Sequence, residues 1–273
     1  MKKLFVLGMA AAMLAAACAA YAVPTLAGPT GLFNAPTGYV ACPGELDLAV
    51  DYLSKTETSF VIEDPVLGRE RVVSEGHTSW PIRVLYGIGS GFEVGAAYDA
   101  NGFAGKGFWD INAKYQLPWN WYNSAIAIGA LYGQADTNDV LVVDEFGNVF
   151  TLDNTTKYWE VYLAGTHCFN VETLPIAVTL GVNWAQLEAI DKHSGWRVQL
   201  GADATVAKGF DILADVQSKT SRIDDDPLWS AGVRYLFCPA LTVEAGVDNG
   251  ILFGGRKAAF FIGANYAFNL ASK

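Results

Sequence analysis

The stretch at residues 257–268 alternates between apolar side chains and mixed polar or small ones with a period of two. Every even-numbered position is apolar, and aromatic residues lie toward both ends of this face: Ala258, Phe260, Ile262, Ala264, Tyr266 and Phe268. A period of two places alternate side chains on opposite faces of a β-strand. The stretch therefore predicts a strand with one apolar and one more polar face, as in the wall of a membrane β-barrel or in a soluble β-sandwich.

The same alternation recurs along the chain after residue 22. In the first segment, for example, Leu48 and Val50 alternate with Asp47 and Asp51. Twelve segments score as strands: 45–54, 78–87, 91–99, 106–117, 122–133, 156–168, 174–186, 195–206, 209–219, 227–238, 240–249 and 257–268. Each is near the roughly 9–11 residues that a tilted strand needs to cross a bilayer, and single-chain barrels have an even strand number. No apolar run of about 18 residues follows the N-terminal region, which excludes spanning helices.

The connections between these segments differ in length. Links after even-numbered segments are short, such as 87–90 and 207–208, whereas residues 55–77 and 134–155 form long links after the first and fifth segments. Each long link contains two β-prone runs around a turn, which predicts a hairpin that continues the strands. Short turns on one side and long loops on the other predict an up-and-down barrel with both termini in the periplasm.

Aromatic residues lie near the ends of the apolar faces, where membrane barrels carry interfacial girdles. They are Trp80, Tyr98, Trp109, Tyr115, Tyr132, Trp159, Trp184, Trp196, Trp229, Tyr235 and Tyr266. A soluble β-sandwich also places Trp and Tyr in strands, but the strand count and the loop asymmetry favour the membrane fold. We therefore predict an all-β fold, a transmembrane antiparallel up-and-down β-barrel of about 12 strands spanning residues 43–273.

Residues 1–22 have the pattern of an export signal. Lys2 and Lys3 precede a long apolar run, and Ala20-Tyr21-Ala22 has the small-x-small form that signal peptidase cleaves. A lipoprotein anchored through Cys18 is the alternative. Together with the barrel pattern, the signal predicts export to the bacterial outer membrane.

Residues 23–42 form a separate N-terminal segment that has neither charge nor strand alternation. Its apolar side chains, among them Leu32 and Phe33, favour burial. We hypothesise that residues 24–39 fold back into the periplasmic mouth of the barrel as a plug, tethered through Cys42 to Cys168 or Cys238. A loose periplasmic leader is the alternative.

Charged residues occupy the polar faces, and strand parity assigns twelve acids and six bases to the lumen. The pore-lining candidates are Asp47, Asp51, Arg83, Glu93, Asp110, Lys114, Glu160, Arg197, Asp203, Asp211, Asp215, Arg234 and Glu244, and Glu45, Asp99, Asp248, Lys219 and Lys257 complete the set. Such charges often pair within a barrel, but a surplus of acids favours cations.

The chain as a whole is also acidic. Its formal net charge is −10, and loss of Lys2 and Lys3 changes this by two, to −12. Nucleic acid and anionic lipid surfaces are therefore unsuitable partners.

The sequence contains no complete catalytic constellation. His193 and Ser194 would point to opposite faces of a strand, and His77 and Ser79 have no identifiable orienting acid. We therefore expect no enzyme, no cofactor and no metal site, with an outer-membrane hydrolase as the least favoured alternative.

Two stretches resemble known barrel sequences. Gly263-x-x-Tyr266-x-Phe268 resembles the C-terminal signal of bacterial outer-membrane barrels, which implies the barrel assembly machinery and outer-membrane lipid as partners. Residues 28–40, GPTGLFNAPTGYV, resemble the opening T-G-L-x-x-x-P-T-A stretch of the exopolysaccharide-associated (YjbH-like) outer-membrane barrel family, with Gly38 where that family usually has Ala. The resemblance covers the first third of the chain and implies an envelope barrel, sometimes linked to polysaccharide export.

These patterns lead to two functional expectations. The first is a narrow, weakly cation-preferring channel or porin whose candidate solutes are small cations or polysaccharide. The second is a non-conducting structural or exopolysaccharide-export-associated barrel of the envelope.

Overall fold

The structure is a computed structural model, and it describes residues 23–26, 29–64, 69–103, 106–118, 121, 123–136, 140–143, 149–152, 155–188, 192–220, 227–249 and 259–270. The expected signal at residues 1–22 lies outside these ranges, as do the two turns at 65–68 and 144–148. No helix within the described ranges is long and apolar enough to cross a membrane.

The described part of the chain is built from strands. They are β1 (Glu45–Asp64), β2 (Arg69–Ser79), β3 (Ile82–Gly89), β4 (Phe92–Phe103), β5 (Lys106–Gln116), β6 (Ser124–Asp136), β7 (Val140–Val143), β8 (Val149–Leu152), β9 (Thr155–Val171), β10 (Leu174–Glu188), β11 (Lys192–Ala207), β12 (Phe210–Gln217), β13 (Leu228–Cys238), β14 (Leu241–Asp248) and β15 (Ala259–Asn269).

All strands except β7 and β8 form one antiparallel sheet, which closes because β15 pairs with β1. This closing pair runs from Glu45 opposite Asn269 to Ser54 opposite Phe260. Both β2 and β3 pair with β1, and together they make one wall strand that is interrupted between Ser79 and Ile82. Pro81 lies in the interruption, where it has no N–H to give to the ladder. The wall therefore has twelve strands, and the predicted closed β-barrel is confirmed.

Both long links contain the predicted hairpins. β1 and β2 pair as far as Asp64 opposite Arg69, and β7 pairs with β8 as a separate two-stranded sheet. β1 is thus 20 residues long, twice the length of the segment predicted at 45–54. Strand pairing in this hairpin therefore continues beyond the segment that the alternation predicts.

The two faces of the wall follow the predicted parity. On β3, Ile82 and Val84 are exposed on the outer surface at 51% and 37%, whereas Arg83 and Leu85 are buried inside. Exposed aromatic side chains form one girdle near the long-loop end and another near the short-turn end. The first comprises Trp80, Tyr98, Trp109, Trp159, Trp196 and Trp229, and the second Phe92, Phe169, Tyr235, Phe237, Tyr266 and Phe268. An apolar outer band between two aromatic girdles is the surface of a transmembrane barrel.

The residues of the suggested assembly signal lie on both faces of β15. Tyr266 and Phe268 point outward, and their ring centroids are 4.6 Å apart. Gly263 instead faces the lumen, where any side chain would collide with the carboxylate of Asp51. This glycine therefore has a packing role in the closed barrel, apart from any role in assembly.

Candidate functional site

The N-terminal segment, residues 23–26 and 29–42, lies inside the barrel. It donates hydrogen bonds to side chains of β4, β9, β12 and β14, and it accepts them from β3, β5 and β11. The expectation placed it at the periplasmic mouth, but its contacts reach further. Asn34 bonds to Asp248 and Gln217, the last residues of β14 and β12 toward the long-loop end. The segment thus occupies the lumen well beyond its short-turn opening.

The segment folds on itself rather than joining the wall. Isolated bridges pair Pro24 with Thr30 and Gly31 with Pro36. The Leu26 N–H also donates to the Phe33 carbonyl at 2.7 Å. Its glycines and prolines favour such tight reversals and disfavour regular strand pairing. The result is a compact doubled loop inside the wall.

Glu93 on β4 binds the segment at two places. Its carboxylate accepts from the Thr30 N–H at 2.9 Å and from the Ala41 N–H at 2.8 Å, and it also accepts from the Thr30 hydroxyl. These bonds are charge-assisted, so each is stronger than a bond between neutral groups. Glu93 therefore holds together two parts of the segment that are eleven residues apart.

Asp215 and Asp248 bind the opposite end of the loop. The N–H groups of Phe33 and Asn34 donate to Asp215 Oδ2 at 3.1 and 3.2 Å, and Ser230 Oγ donates to the same oxygen at 2.6 Å. The Asn34 side-chain amide donates to Asp248 at 2.7 Å. Acids from β4, β12 and β14 thus act as acceptors for the N–H groups of the segment.

Basic residues bind the carbonyl groups of the same loop. Arg83 Nη1 donates to the carbonyls of Pro24 and Thr25, both at 2.6 Å, and Lys114 Nζ donates to the Thr30 carbonyl at 2.7 Å. Both side chains are buried. The lumen therefore presents acceptors to the donors of the segment and donors to its acceptors.

An apolar cluster within the lumen contains the side chains of Leu32 and Phe33, together with Leu26, Ala35, Leu53, Leu213 and Phe261. The Phe33 ring meets the Phe261 ring edge-on, with centroids 4.8 Å apart. The guanidinium carbon of Arg234 lies 5.9 Å from the Phe33 centroid. Phe33 is 1% exposed and Phe261 is 0% exposed, so both rings are buried as deeply as side chains in a protein core.

Close approach to the wall depends on glycines. A side chain at Gly38 would collide with the carbonyl of Ala125 on β6, and one at Gly201 on β11 would collide with Leu32. Gly38 also donates its N–H to Thr166 Oγ1 at 2.8 Å. The backbone of the wall thus leaves no room for a side chain at Gly38, and the Leu32 side chain fills the space beside Gly201.

Charged residues pair within the lumen, and two of the paired groups contain arginine. In the first, Arg83 pairs with Asp51 and with Glu244 at 3.3 Å, and Arg234 donates to Glu244 from Nε and Nη2 at 3.2 and 3.1 Å. In the second, Arg197 lies 3.8 Å from Glu160, and Tyr158 hydrogen-bonds to both. These two groups contain six of the sequence candidates.

The remaining candidates also face inward. Asp47 accepts from Asn265 at 3.1 Å, Lys114 pairs with Glu93 at 3.6 Å, and Asp110 and Asp211 are buried, while Asp203 is half-buried. One further parity assignment is contradicted, and another is untested. Lys219 lies beyond the end of β12 and is exposed, so its assignment to the lumen was wrong, and Lys257 lies outside the described residues.

Acids outnumber bases among the buried residues. Within the described ranges, nine acids and four bases are buried: Asp47, Asp51, Glu93, Asp99, Asp110, Asp211, Asp215, Glu244 and Asp248 against Arg83, Lys114, Arg197 and Arg234. The segment carries no charge of its own, and its N–H groups are the donors to Glu93, Asp215 and Asp248.

The expected disulfide tether does not form, since none of Cys42, Cys168 and Cys238 is in a disulfide bond. Tyr39 approaches Cys168 instead, with its hydroxyl 3.2 Å from the sulfur, and holds this part of the segment at the short-turn end. Burial, followed by the nearby carboxylate of Glu45, raises the pKa of the Cys42 thiol. Cys42 therefore stays protonated at neutral pH and reacts slowly.

Several contact residues were missed from the sequence. Gln199 and Gln217 donate to the carbonyls of Pro36 and Asn34 at 3.3 and 3.2 Å, and Thr166 accepts from Gly38. Their inward parity was readable, but an uncharged side chain gave no signal of a binding role. No group of three or more His, Cys, Asp or Glu residues in the described ranges could hold a metal ion.

Comparison with known proteins relates the chain to solved barrels. No family model matches the sequence, and neither does any curated protein. The structure of KdgM porin in complex with disordered oligogalacturonate is 14% identical, with 81% of this chain and 99% of that chain covered and a TM-score of 0.52. The structure titled KdgM porin has the same identity and coverage and a TM-score of 0.51. At this identity the likeness shows a shared barrel fold.

Proposed function

We propose that this protein is a channel of the bacterial outer membrane, closed from within by its own residues 23–42. The observation that carries the proposal is the charged lumen, in which an uncharged, doubled loop occupies the path through the barrel. The outer apolar band and the likeness to the KdgM porin fold support the membrane location. Export through the signal at residues 1–22 belongs to the same proposal.

The packing of the lumen supports a closed state. Asp51 and Glu93 are 0% exposed and Arg83 is 1% exposed, although all three carry charge and face the interior of the barrel. An ion crossing the barrel needs water or polar ligands along its whole path. Departure of the segment would give water access to these side chains, and this is the step that opens the channel.

The open channel prefers cations under this proposal. When the segment leaves, Glu93, Asp215 and Asp248 lose its N–H donors, and the surplus of buried acids over bases then faces water. A wall of this charge attracts cations and repels anions. Small cations therefore suit the lumen better than an anionic saccharide such as the one named with KdgM porin.

The test compares the mature chain with a variant that lacks residues 24–39, both refolded and placed in planar lipid bilayers. We expect the deletion to raise the conductance, and a salt gradient to give a zero-current potential with the sign of cation selectivity. Heat-dependent gel mobility checks that both barrels are folded. A folded deletion variant with unchanged conductance would refute closure by the segment.

The second candidate function is a non-conducting envelope barrel linked to exopolysaccharide export. It is favoured by the filled lumen and by the resemblance of residues 28–40 to that family. Contact of the outer band with membrane lipid, and delivery by the assembly machinery through Gly263, Tyr266 and Phe268, belong to both candidates. Electrical silence of the mature chain and of the deletion variant would favour the second.

A further inference from the structure

We propose that the lumen is a peptide-binding site, for which residues 23–41 are the built-in ligand and to which a separate peptide of the same chemistry binds. The class of ligand is a short uncharged peptide with an adjacent aliphatic and aromatic residue. This inference rests on the proposed function in treating the segment as a part that can leave the lumen.

The wall recognises the peptide backbone directly. Buried carboxylates accept from the N–H groups of Thr30, Phe33 and Asn34, and buried cations donate to the carbonyls of Pro24 and Thr30. Negative side chains thus face N–H groups of the loop, and positive side chains face its carbonyl groups. Any chain that takes up this loop conformation can make these contacts, whichever protein it belongs to.

Side-chain contacts supply the selectivity. Leu32 occupies the space left by Gly201, and Phe33 packs against Phe261 beneath the guanidinium of Arg234. An aromatic ring in such a pocket gains both an edge-on ring contact and a cation–π contact. The next residue, Asn34, donates from its side chain to Asp248. The site therefore selects the order aliphatic, aromatic, amide.

The segment is bound inside the barrel but is not part of its sheet. Its isolated bridges join it to itself, and all its strand-like contacts within the described residues are internal. It is continuous with the wall only through residues 42–44, which lead into β1. Such a short connection gives the built-in ligand an effective concentration in about the millimolar range. The binding of a separate peptide is therefore best measured on a barrel that lacks its own segment.

The experiment uses the refolded variant that lacks residues 24–39 and a synthetic peptide with the sequence of residues 24–40, PTLAGPTGLFNAPTGYV. We expect saturable binding by isothermal titration calorimetry and a dose-dependent fall in conductance. A peptide with Phe33→Ala should bind at least about 50-fold more weakly, since it loses a buried ring. A peptide of the same composition in scrambled order is the control for non-specific uptake.

A matched pair of barrel variants tests the backbone contacts. Glu93→Gln keeps the shape of the side chain but removes its charge, and it should weaken peptide binding by about tenfold. Glu188→Gln makes the same change at the long-loop end of β10, outside the contacts of the segment, and should leave the affinity unchanged.

The outcomes separate this inference from the proposed channel. Conductance of the deletion variant without peptide binding at millimolar concentration would overturn the peptide site and leave the channel standing. Peptide binding with the expected Phe33 dependence, in a barrel that never conducts, would support the site and refute the channel. Equal binding of the scrambled peptide would also overturn the site.

Discussion

Phe33→Ala should open the closed barrel while leaving its wall intact. Phe33 is 1% exposed, and its ring packs edge-on against Phe261 at 4.8 Å. Removal of a buried phenylalanine ring commonly costs about 3–5 kcal/mol. We use the lower end of this range, because water can fill part of the space inside a lumen. A loss of about 3 kcal/mol from the docked state corresponds to a change on the order of 100-fold in the ratio of undocked to docked segment.

The assay records single channels of the refolded mature chain and measures the ratio of open to closed time. We expect this ratio to rise by about two orders of magnitude, with the open conductance equal to that of the variant lacking residues 24–39. Phe260→Ala is the control, because the neighbouring ring lies on the outer face and is 50% exposed. Phe33 would not hold the segment in place if Phe33→Ala changed the ratio of open to closed time by less than about threefold, or by no more than Phe260→Ala does.

Three further predictions address the segment, the assembly signal and the orientation. Gly38→Ala places a methyl group against the Ala125 carbonyl and should raise the ratio of open to closed time by roughly tenfold, as expected for overpacking. An unchanged ratio would mean that the wall moves to make room for the methyl group. Phe268→Asp puts a charge on the outer face of β15 and should prevent insertion, and normal heat-dependent gel mobility of membrane fractions would contradict this. In a background with the native cysteines replaced by serine, Lys192→Cys at the long-loop end should react on whole cells with a reagent too large for porins, whereas Lys208→Cys in a short turn should not. The reverse pattern of labelling would invert the orientation.

Period-two alternation predicts the wall because each strand has lipid on one side and the lumen on the other. On β1, Leu48 and Val50 are outward and exposed, and Asp47 and Asp51 are inward and buried. The pattern does not predict the length of β1, which continues in pairing with β2 as far as Asp64. The interruption at Pro81 was also missed, since alternation resumes immediately on both sides of it.

The candidate site was only half predictable. Parity alone assigns Glu93 and Asp215 to the lumen, but their partners depend on how the N-terminal segment lies within it. Glu93 bonds to Thr30, which is 63 residues away, and Asp215 bonds to Phe33, which is 182 residues away. No local pattern carries such pairings. The predicted disulfide through Cys42 also depended on which residues meet inside the barrel. It was wrong because Tyr39, not Cys42, approaches Cys168.

The charge of the lumen supports the proposal that its closure is reversible. A buried carboxylate without a partner is strongly destabilising in a sealed core, so nine acids and four bases would be a poor interior for a soluble protein. In a barrel, water can replace the segment, and Glu93 and Asp215 then exchange N–H donors for water at a small net cost. Ordering some twenty residues of segment opposes docking by roughly 1–2 kcal/mol per residue of backbone entropy. Under the proposed function, contacts of the segment such as the buried ring of Phe33 offset this entropy, so the loss of that ring shifts the barrel toward its open state.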